Sequence, residues 1–253
     1  YLTVKVLFSV LKYKLVTNES INIGILFHNL DTDERRLETI SKWSRLKNFD
    51  DEINMILFKI LLNGIKDEVK DSLFKETLHF NISEYTKKFR NEMRFSKIYE
   101  EHTDNFDSFV EFNKKIFLRY DYDQKDRPKK DQQIKYMKTL MKSNEIPYSV
   151  KKIMGEHQES IQYDYIIDNF AFKFFEFENK KLDRLVSSAK AWAYTAKELS
   201  DIYNTIFVYD VDVDDRKFNI IIDILKKSAY DIIKYDNTID YMSNKNDLTD
   251  INF

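Results

Sequence analysis

The chain lacks cysteine and has little glycine and proline, and these absences exclude several kinds of functional site. Its 253 residues include no Cys, three Gly and two Pro. Without thiolates the protein has no disulfide, no cysteine nucleophile and no zinc or iron–sulfur centre held by sulfur. Gly24, Gly64 and Gly155 lie far apart, so the sequence contains neither a glycine-rich phosphate loop nor a dinucleotide-binding fingerprint.

A long apolar run and a strong net charge are also absent. No segment approaches the roughly 20 apolar residues of a membrane span, and the first residues show neither the basic segment nor the apolar core of a signal peptide. We therefore expect no membrane contact and a cytoplasmic location. The formal net charge is −2 although 33% of the residues are charged, so nucleic-acid contact would need a local basic patch.

The first half of the chain predicts an α+β domain that begins with antiparallel strands. Apolar residues occupy every second position of residues 2–10 and again of 21–27, on either side of a polar loop. A third short strand is expected over residues 36–40, and residues 77–120 are expected to be mostly helical. A helix between these regions is predicted by the three- and four-residue spacing of Ile53, Ile56, Leu57, Ile60 and Leu61.

The second alternating segment carries a resemblance to a known family. The string LVTNESINIGILFHNL is similar to an uncharacterised family of small bacterial and phage proteins, which opens with a tyrosine-rich strand, an acidic residue and then Asn-(Ile/Val)-Gly-(Val/Ile). The resemblance covers about the first 70 residues and implies a fold but no activity. From the residues alone, Gly24 is interpreted as relieving crowding in a strand and Asn22 as holding a turn. The matching residues are Glu19, Asn22, Ile23, Gly24 and Ile25.

A charged segment in the middle of the chain predicts a domain boundary. Residues 120–131, YDYDQKDRPKKD, are almost free of aliphatic side chains and include Pro128. Such composition is typical of linkers. We therefore expect an α+β domain over residues 1–122, a linker over 123–131 and an α/β domain over 132–253.

The second half of the chain predicts a mixed sheet with helices packed on it. Its patterns follow the order α-β-β-β-α-β-α-β. Its strongest helix signal is the apolar stripe over residues 182–199, and its clearest turn is Asp168-Asn169, within a predicted hairpin. The other predicted elements are helices over 130–143 and 218–225 and strands over 148–153, 205–211 and 230–235.

The predicted hairpin and the acids that follow it provide the candidate catalytic residues. Side chains two apart on a strand share a face, so Glu176 and Glu178 lie on one face of the second strand. We expect the hairpin to bring Asp168 toward Glu178, with Lys180 two residues further on. Carboxylates grouped in this way are typical of metal-dependent nucleases.

The element order resembles the restriction-endonuclease-like (PD-(D/E)xK) fold, whose signature is an Asp, a spacer and then Glu-x-Lys. The resemblance implies catalytic roles for Asp168, Glu178 and Lys180, and a Mg²⁺ site formed by Asp168, Glu176 and Glu178. The metal would polarise a phosphate and activate water, while the lysine orients that water. A degenerate, inactive site is the alternative, because Lys180 lies where the chain leaves the predicted strand.

Three functions stay open. The first is a non-enzymatic protein that binds a protein partner, expected from the absent cofactor motifs, the imperfect trio, the 15% aromatic content and the nearly neutral charge. Resemblance to phage and mobile-element proteins narrows this to an inhibitor that binds a host anti-phage defence complex, for example of the Gabija type, in the host cytoplasm. It would need no cofactor, and it could also form a homo-oligomer.

The two alternatives both involve nucleic acid. One is a Mg²⁺-dependent nuclease that uses Asp168, Glu178 and Lys180. The other is a regulatory module that binds nucleic acid without cutting it, for which the sequence shows only small basic pairs at Lys129-Lys130 and Lys151-Lys152. The residues that would contact a protein partner are not identified by the sequence.

Overall fold

The chain folds into two compact units, one over residues 1–129 and one over 130–253. The structure is a computed structural model that describes residues 3–17, 19–70, 80–177, 180–211 and 216–249. The division between the units lies within the predicted linker, residues 123–131. Within the described residues, no helix is both long and apolar enough to cross a membrane.

The first unit is built on an antiparallel sheet, as the alternating pattern predicted. Strands β1 (Val4–Lys14) and β2 (Ser20–Asn29) pair with each other, and β3 (Glu34–Thr39) pairs with β2. The other edge of β1 pairs with both β4 (Met93–Phe95) and β5 (Tyr99–Thr103). These two short strands therefore follow one another along an edge of the sheet.

Helices connect and cover this sheet. The prediction that residues 77–120 are mostly helical is wrong over 93–103, where β4 and β5 lie; residues 71–79 are outside the described part of the chain. These strands are short and partly charged, and β1 supplies their pairing, so their own sequence carries little alternation. The helices of this unit are α1 (Ser44–Phe49), α2 (Met55–Lys70), α3 (Ile82–Thr86) and α4 (Phe106–Phe117).

Aromatic rings form the core between the sheet and α4. Phe8 of β1 is fully buried and contacts four other rings, with centroid distances of 5.6–6.0 Å. The partners come from β2, β5, α4 and the end of α4: Phe27, Tyr99, Phe109 and Phe117. Because these rings belong to four elements far apart in sequence, they hold the unit together.

Two residues of the family-like string have defined structural roles. A Cβ atom on Gly24 would lie 2.9 Å from the carbonyl oxygen of Glu38 on β3, so the interpretation of this glycine as relieving crowding is confirmed. Asn22 does not hold a turn. It lies within β2, and its Nδ2 donates a hydrogen bond of 3.0 Å to the carbonyl oxygen of Phe117, so it ties the end of α4 to the sheet.

The second unit contains the predicted mixed sheet. Its strand order is β8-β9-β10-β11, in which β8 runs antiparallel to β9 and the other pairs are parallel. A separate pair, β6 and β7, lies outside this sheet; β6 overlaps the end of the strand predicted over 148–153, whereas β7 and the last helix α8 were not predicted. The elements in chain order are α5 (Lys130–Ser143), β6 (Lys152–Met154), β7 (Ser160–Gln162), β8 (Tyr165–Ile167), β9 (Phe170–Phe175), α6 (Leu182–Glu198), β10 (Asn204–Tyr209), α7 (Arg216–Leu225), β11 (Asp231–Lys234) and α8 (Thr238–Thr249).

The sheet of the second unit is covered on both faces. Phe175 and Phe207 pack with buried residues of α6 and α7, which fulfils the stripe predicted over residues 182–199. On the opposite face the ring of Phe174 contacts Tyr165 and Tyr235, with centroid distances of 5.9 and 5.5 Å. The strands therefore carry apolar side chains on both faces, as is typical of parallel sheets.

Candidate functional site

The turn of the β8–β9 hairpin holds Asp168, the first predicted catalytic acid. Ile167 pairs with Phe170, so Asp168 and Asn169 form a two-residue turn, as the sequence predicted. Asp168 is exposed and has a φ of 51°, a conformation that Asp and Asn adopt more readily than most residues. The geometry of the turn is therefore sufficient to explain the aspartate at this position.

Glu176 and Lys180 lie beyond the other end of β9. Six strand residues separate Asp168–Asn169 from Glu176, a length of about 20 Å at roughly 3.3 Å per residue. Glu176 Oε2 and Lys180 Nζ are 3.1 Å apart in an exposed ion pair. The structure thus brings Glu176 and Lys180 together and places Asp168 at the opposite end of the hairpin.

The remaining member of the predicted trio, Glu178, lies outside the described residues. In the part of the chain that the structure describes, no three His, Asp or Glu side chains are grouped so that they could hold a metal ion. The catalytic and Mg²⁺-binding assignments of Asp168, Glu176, Glu178 and Lys180 therefore stay predictions, and the separation of Asp168 from Glu176 does not favour them.

The hairpin instead brings together an acid and a lysine that the sequence analysis missed. Asp164 lies just before β8, opposite Lys173 of β9, and its Oδ2 accepts a hydrogen bond of 2.7 Å from the backbone N–H of Phe174. The same oxygen is 3.8 Å from Lys173 Nζ. Counting outward from the turn at 168–169 places 164 opposite 173, so the signal was present in the sequence.

The environment of Lys173 is that of a partly buried structural lysine. Its Nζ lies 4.3 Å from the centre of the Trp192 ring and 3.3 Å from the carbonyl oxygen of Gln162. Burial lowers the pKa of Lys173, the charge of Lys130 lowers it further, and the nearby Asp164 opposes both effects. If the Asp–spacer–Glu-x-Lys signature is placed on Asp164 and Lys173, the glutamate position holds Ala171, so this pair lacks the second carboxylate of a metal site.

Helix α2 presents a second candidate site, because it has apolar residues on two faces. One face packs into the first unit and the other is exposed. The buried residues are Phe58, Leu62, Ile65 and Val69. The exposed residues, which we call the α2 face, are Ile56, Leu57, Ile60 and Leu61, with exposed fractions of 74, 63, 62 and 50%.

The α2 face is a continuous stripe. At about 100° per residue its four side chains span about 140° of the helix surface. Their exposed area is on the order of 400–500 Å², within the roughly 300–600 Å² of the largest patches on monomeric proteins, which are often functional. Gly64 continues the stripe, and a Cβ at this position would have no other atom within 4 Å.

Charged residues lie at the end of the α2 face. Asp67 is exposed and makes no ion pair with any residue that the structure describes. Its neighbour Glu68 accepts a hydrogen bond of 3.0 Å from the hydroxyl of Tyr85, and burial together with this carboxylate raises the pKa of Tyr85. Asp67 is therefore the carboxylate at this end that is available to a partner.

Comparison with known proteins adds no relative from which a function can be carried over. No family model, no curated protein and no solved structure matches the chain. The resemblances to the phage-protein family and to the restriction-endonuclease-like fold therefore stay predictions.

Proposed function

We propose that the protein acts without catalysis, by binding another protein through the α2 face. The observation that carries this proposal is the exposure of Ile56, Leu57, Ile60 and Leu61 on consecutive turns of one helix. Full burial of one such side chain contributes about 1.5–3 kcal/mol. A partner that covers the four of them would gain several kcal/mol from apolar burial alone.

The occupant of this surface is an amphipathic α-helix of the partner protein. A narrow apolar stripe along a helix is complementary to another helix laid beside it. Gly64 allows the backbone of that helix to approach closely at the end of the stripe. The exposed carboxylate of Asp67 adds a charge requirement, because it is best matched by a lysine or arginine at the adjoining end of the partner helix.

A second copy of the chain fits this surface less well. If two copies packed antiparallel about the midpoint between Ile60 and Leu61, Asp67 of one would face Asn54 of the other, which carries no charge. Parallel packing would place Asp67 against itself. A different protein with a basic residue at this place is therefore the favoured occupant.

The size of the surface suits a specific complex. Stable interfaces bury about 800 Å² on each partner, with an apolar centre and a polar rim. The α2 face supplies the apolar centre, and exposed polar residues at both ends of the stripe, among them Glu52, Asn63 and Lys70, supply a rim.

The partner class follows from the resemblance of the first 70 residues to phage proteins, a region that includes α2. A host anti-phage defence complex, for example of the Gabija type, is the partner that this resemblance favours. The protein would then be a phage or mobile-element inhibitor that acts in the host cytoplasm. It would need neither a metal nor a cofactor.

The test is co-purification with defence complexes, combined with phage infection of cells that carry them. The wild-type chain should co-purify with its target and protect the phage, whereas Leu57→Glu/Leu61→Glu should lose both effects because charge on the α2 face opposes apolar burial. The matched control is Val150→Glu/Ile202→Glu, which charges two exposed apolar residues of the second unit and should behave like the wild type.

Three outcomes would contradict the proposal. The first is failure of the wild-type chain to bind or inhibit any defence complex in a panel. The second is an equal loss of binding in the α2 variant and in the control. The third is a concentration-dependent dimer in analytical ultracentrifugation that Leu57→Glu/Leu61→Glu abolishes, which would identify a second copy as the occupant.

A further inference from the structure

A basic cleft lies in the first unit, between the end of α3 and the sheet edge formed by β4 and β5. Its volume is about 450 Å³. The charged residues that line it are Lys87, Arg90, Arg94 and Lys97, and no carboxylate of the described residues lines it. A concave surface with cations and without acids is an arrangement that suits an anionic ligand.

The cleft exists because the sheet edge is interrupted by a β-bulge. Leu11 of β1 pairs with Phe95, and Phe8 pairs with Tyr99, so two residues of β1 face the three residues 96–98. Ser96 is fixed at this point, since its Oγ accepts a hydrogen bond of 2.9 Å from the backbone N–H of Val10. Ser96 still donates its backbone N–H to the carbonyl oxygen of Val10 at 2.8 Å, whereas residues 97 and 98 have no ladder partner on β1; all three residues line one side of the cleft.

The two arginines of the cleft are held in place by the backbone. Arg90 Nε donates to the carbonyl oxygen of Lys87 at 3.0 Å, and Arg94 Nε donates to that of Asn91 at 2.9 Å. Neither guanidinium forms an ion pair with a described residue. Their terminal nitrogens are thus positioned in advance, which lowers the entropy cost of binding a phosphate with two hydrogen bonds.

A second cleft of the first unit has a different arrangement of charge. It has a volume of about 580 Å³ and is lined by as many acids as bases. There Arg36 contacts both Glu34 and Asp107, at 2.5 and 2.6 Å. The lining of that cleft has four acids and four bases, whereas the lining of the basic cleft has four bases and, among the residues that the structure describes, no acid.

Protection of the sheet edge accounts for only part of the basic cleft. Edge strands commonly carry lysine or arginine to prevent pairing with other chains, and Arg94 of β4 fits this role. Lys87 and Arg90 do not, because they lie in the segment between α3 and β4 rather than on an edge strand. Their contribution to the same cleft needs another explanation.

We propose that the basic cleft binds single-stranded nucleic acid through its phosphates. Arginine matches phosphate oxygens with paired N–H donors. The half-buried rings of Phe89 and Phe95, whose centroids are 5.0 Å apart, line the cleft and provide an apolar surface for a base. A recessed site accepts a strand whose bases can turn outward, whereas a duplex presents a convex surface with its bases stacked inside.

The test is fluorescence anisotropy of the full chain with a labelled 12-nucleotide oligo(dT), an oligo(U) of equal length and a 12-base-pair duplex, from 50 to 300 mM NaCl. The wild type should bind the single strands more tightly than the duplex. Contact with three or four phosphates predicts that log Kd rises with log salt with a slope of about 2–3, since each contact adds about 0.7.

Charge-reversal variants test the assignment to the cleft. Arg90→Glu/Arg94→Glu should weaken binding at least about tenfold and lower the salt slope by about 1.4, because two phosphate contacts are lost. Arg90→Lys/Arg94→Lys should keep most of the slope, since the charge stays. The matched control Lys135→Glu/Lys142→Glu makes the same change of charge on exposed positions of α5 and should keep Kd within about twofold.

Several results would overturn this proposal. They are the absence of salt-dependent binding, tighter binding of the duplex, and an equal loss in the two charge-reversal variants, which would indicate net charge alone. If the protein binds inorganic phosphate but none of the oligonucleotides, the cleft is a site for a small anion instead. Leu57→Glu/Leu61→Glu should bind oligonucleotides normally, which separates this proposal from that of the α2 face, and thermal unfolding should show each variant to be folded.

Discussion

Helices α2 and α6 are predicted by the same sequence signal but use it in opposite ways. Both have apolar residues at spacings of three and four. In α6 the predicted stripe faces the sheet of the second unit, where Leu185, Ala189 and Ala196 are buried. In α2, four of the five residues on which the prediction rested form the α2 face, and these four are exposed; the fifth, Ile53, precedes the helix. The helical period therefore predicts the element without predicting which face it buries.

The difference arises from the number of apolar faces. Helix α6 has one such face, so one orientation satisfies it. Helix α2 has two, and it buries the face that contains Phe58 and Leu62 while the other stays outside. A helix that is apolar over most of its circumference is expected to be covered on both sides. The uncovered side of α2 is thus the part of the first unit that most needs a partner.

The largest expected effect comes from truncating the buried faces of the two helices. Leu62→Ala in α2 and Leu185→Ala in α6, each at a residue 1% exposed, should each lower the free energy of unfolding by about 2–5 kcal/mol because a cavity replaces packed atoms. Urea unfolding measures this change. Ile60→Ala on the α2 face is the control and should change stability by less than about 0.5 kcal/mol. A large loss for Ile60→Ala would mean that the α2 face is covered within the chain.

The sequence predicts local features of the second unit well and the assembly of its residues less well. The turn at Asp168-Asn169 follows from its residue types, and the helices and strands around it follow from their periods. The expectation that the hairpin brings Asp168 toward Glu178 did not take into account the six residues of β9, which separate Asp168 from Glu176; Glu178 itself lies outside the described residues. In a hairpin with a two-residue turn, residues at equal distances from the turn lie opposite each other. Ile167 therefore pairs with Phe170, and Asp164 lies beside Lys173.

Contacts between residues that are far apart along the chain could not be predicted from the sequence. The hydrogen bond from Asn22 to Phe117 joins residues 95 positions apart, and no local pattern marks it. The basic cleft requires the bulge at residues 96–98, whose register is set by β1 rather than by the residues themselves. The sequence shows the basic residues between positions 87 and 97, but it does not indicate that four of them line one cleft.

Two glycines of the first unit, one in the crowded strand β2 and one on the exposed side of α2, are expected to respond to substitution with effects of opposite sign. Gly24→Ala should destabilise the protein by about 1–3 kcal/mol, because the new Cβ would lie 2.9 Å from the Glu38 carbonyl oxygen. Gly64→Ala should stabilise it by about 0.5–1 kcal/mol, since the new Cβ meets open space and the helix loses a flexible residue. Thermal unfolding of both variants checks the signs.

A larger side chain at Gly64 tests whether the exposed side of α2 is a docking surface for a partner. Gly64→Leu should not lower stability, for the same reason as Gly64→Ala, but it should weaken partner binding, because a larger side chain keeps the partner helix away from α2. Binding unaffected by Gly64→Leu would exclude close approach at this position. Destabilisation by Gly64→Ala would show that the end of the α2 face is packed against other residues, which would contradict its exposure.

A similarly small effect is expected from burial of a polar group in the second unit. The hydroxyl of Tyr165 is buried and has no hydrogen-bond partner among the described residues, whereas that of Tyr163 is 2.7 Å from Thr205 Oγ1. Tyr165→Phe should therefore stabilise the protein by about 1 kcal/mol, and Tyr163→Phe should destabilise it by a similar amount. Urea unfolding at pH 7 compares the two variants, and loss of stability in Tyr165→Phe would contradict the unpaired state of its hydroxyl.

Alkaline pH gives a second readout for Tyr165. Burial raises its pKa well above the ordinary value of 10.0, and the nearby Tyr235 and Asp164 add to the shift. The folded state therefore keeps the proton after the unfolded chain has lost it, so the stability from this group is fully present below pH 10 and falls as the pH rises above that value. Tyr165→Phe should reduce this loss between pH 10 and 11. An unchanged slope in the variant would mean that the hydroxyl ionises as readily in the folded protein as in the unfolded chain.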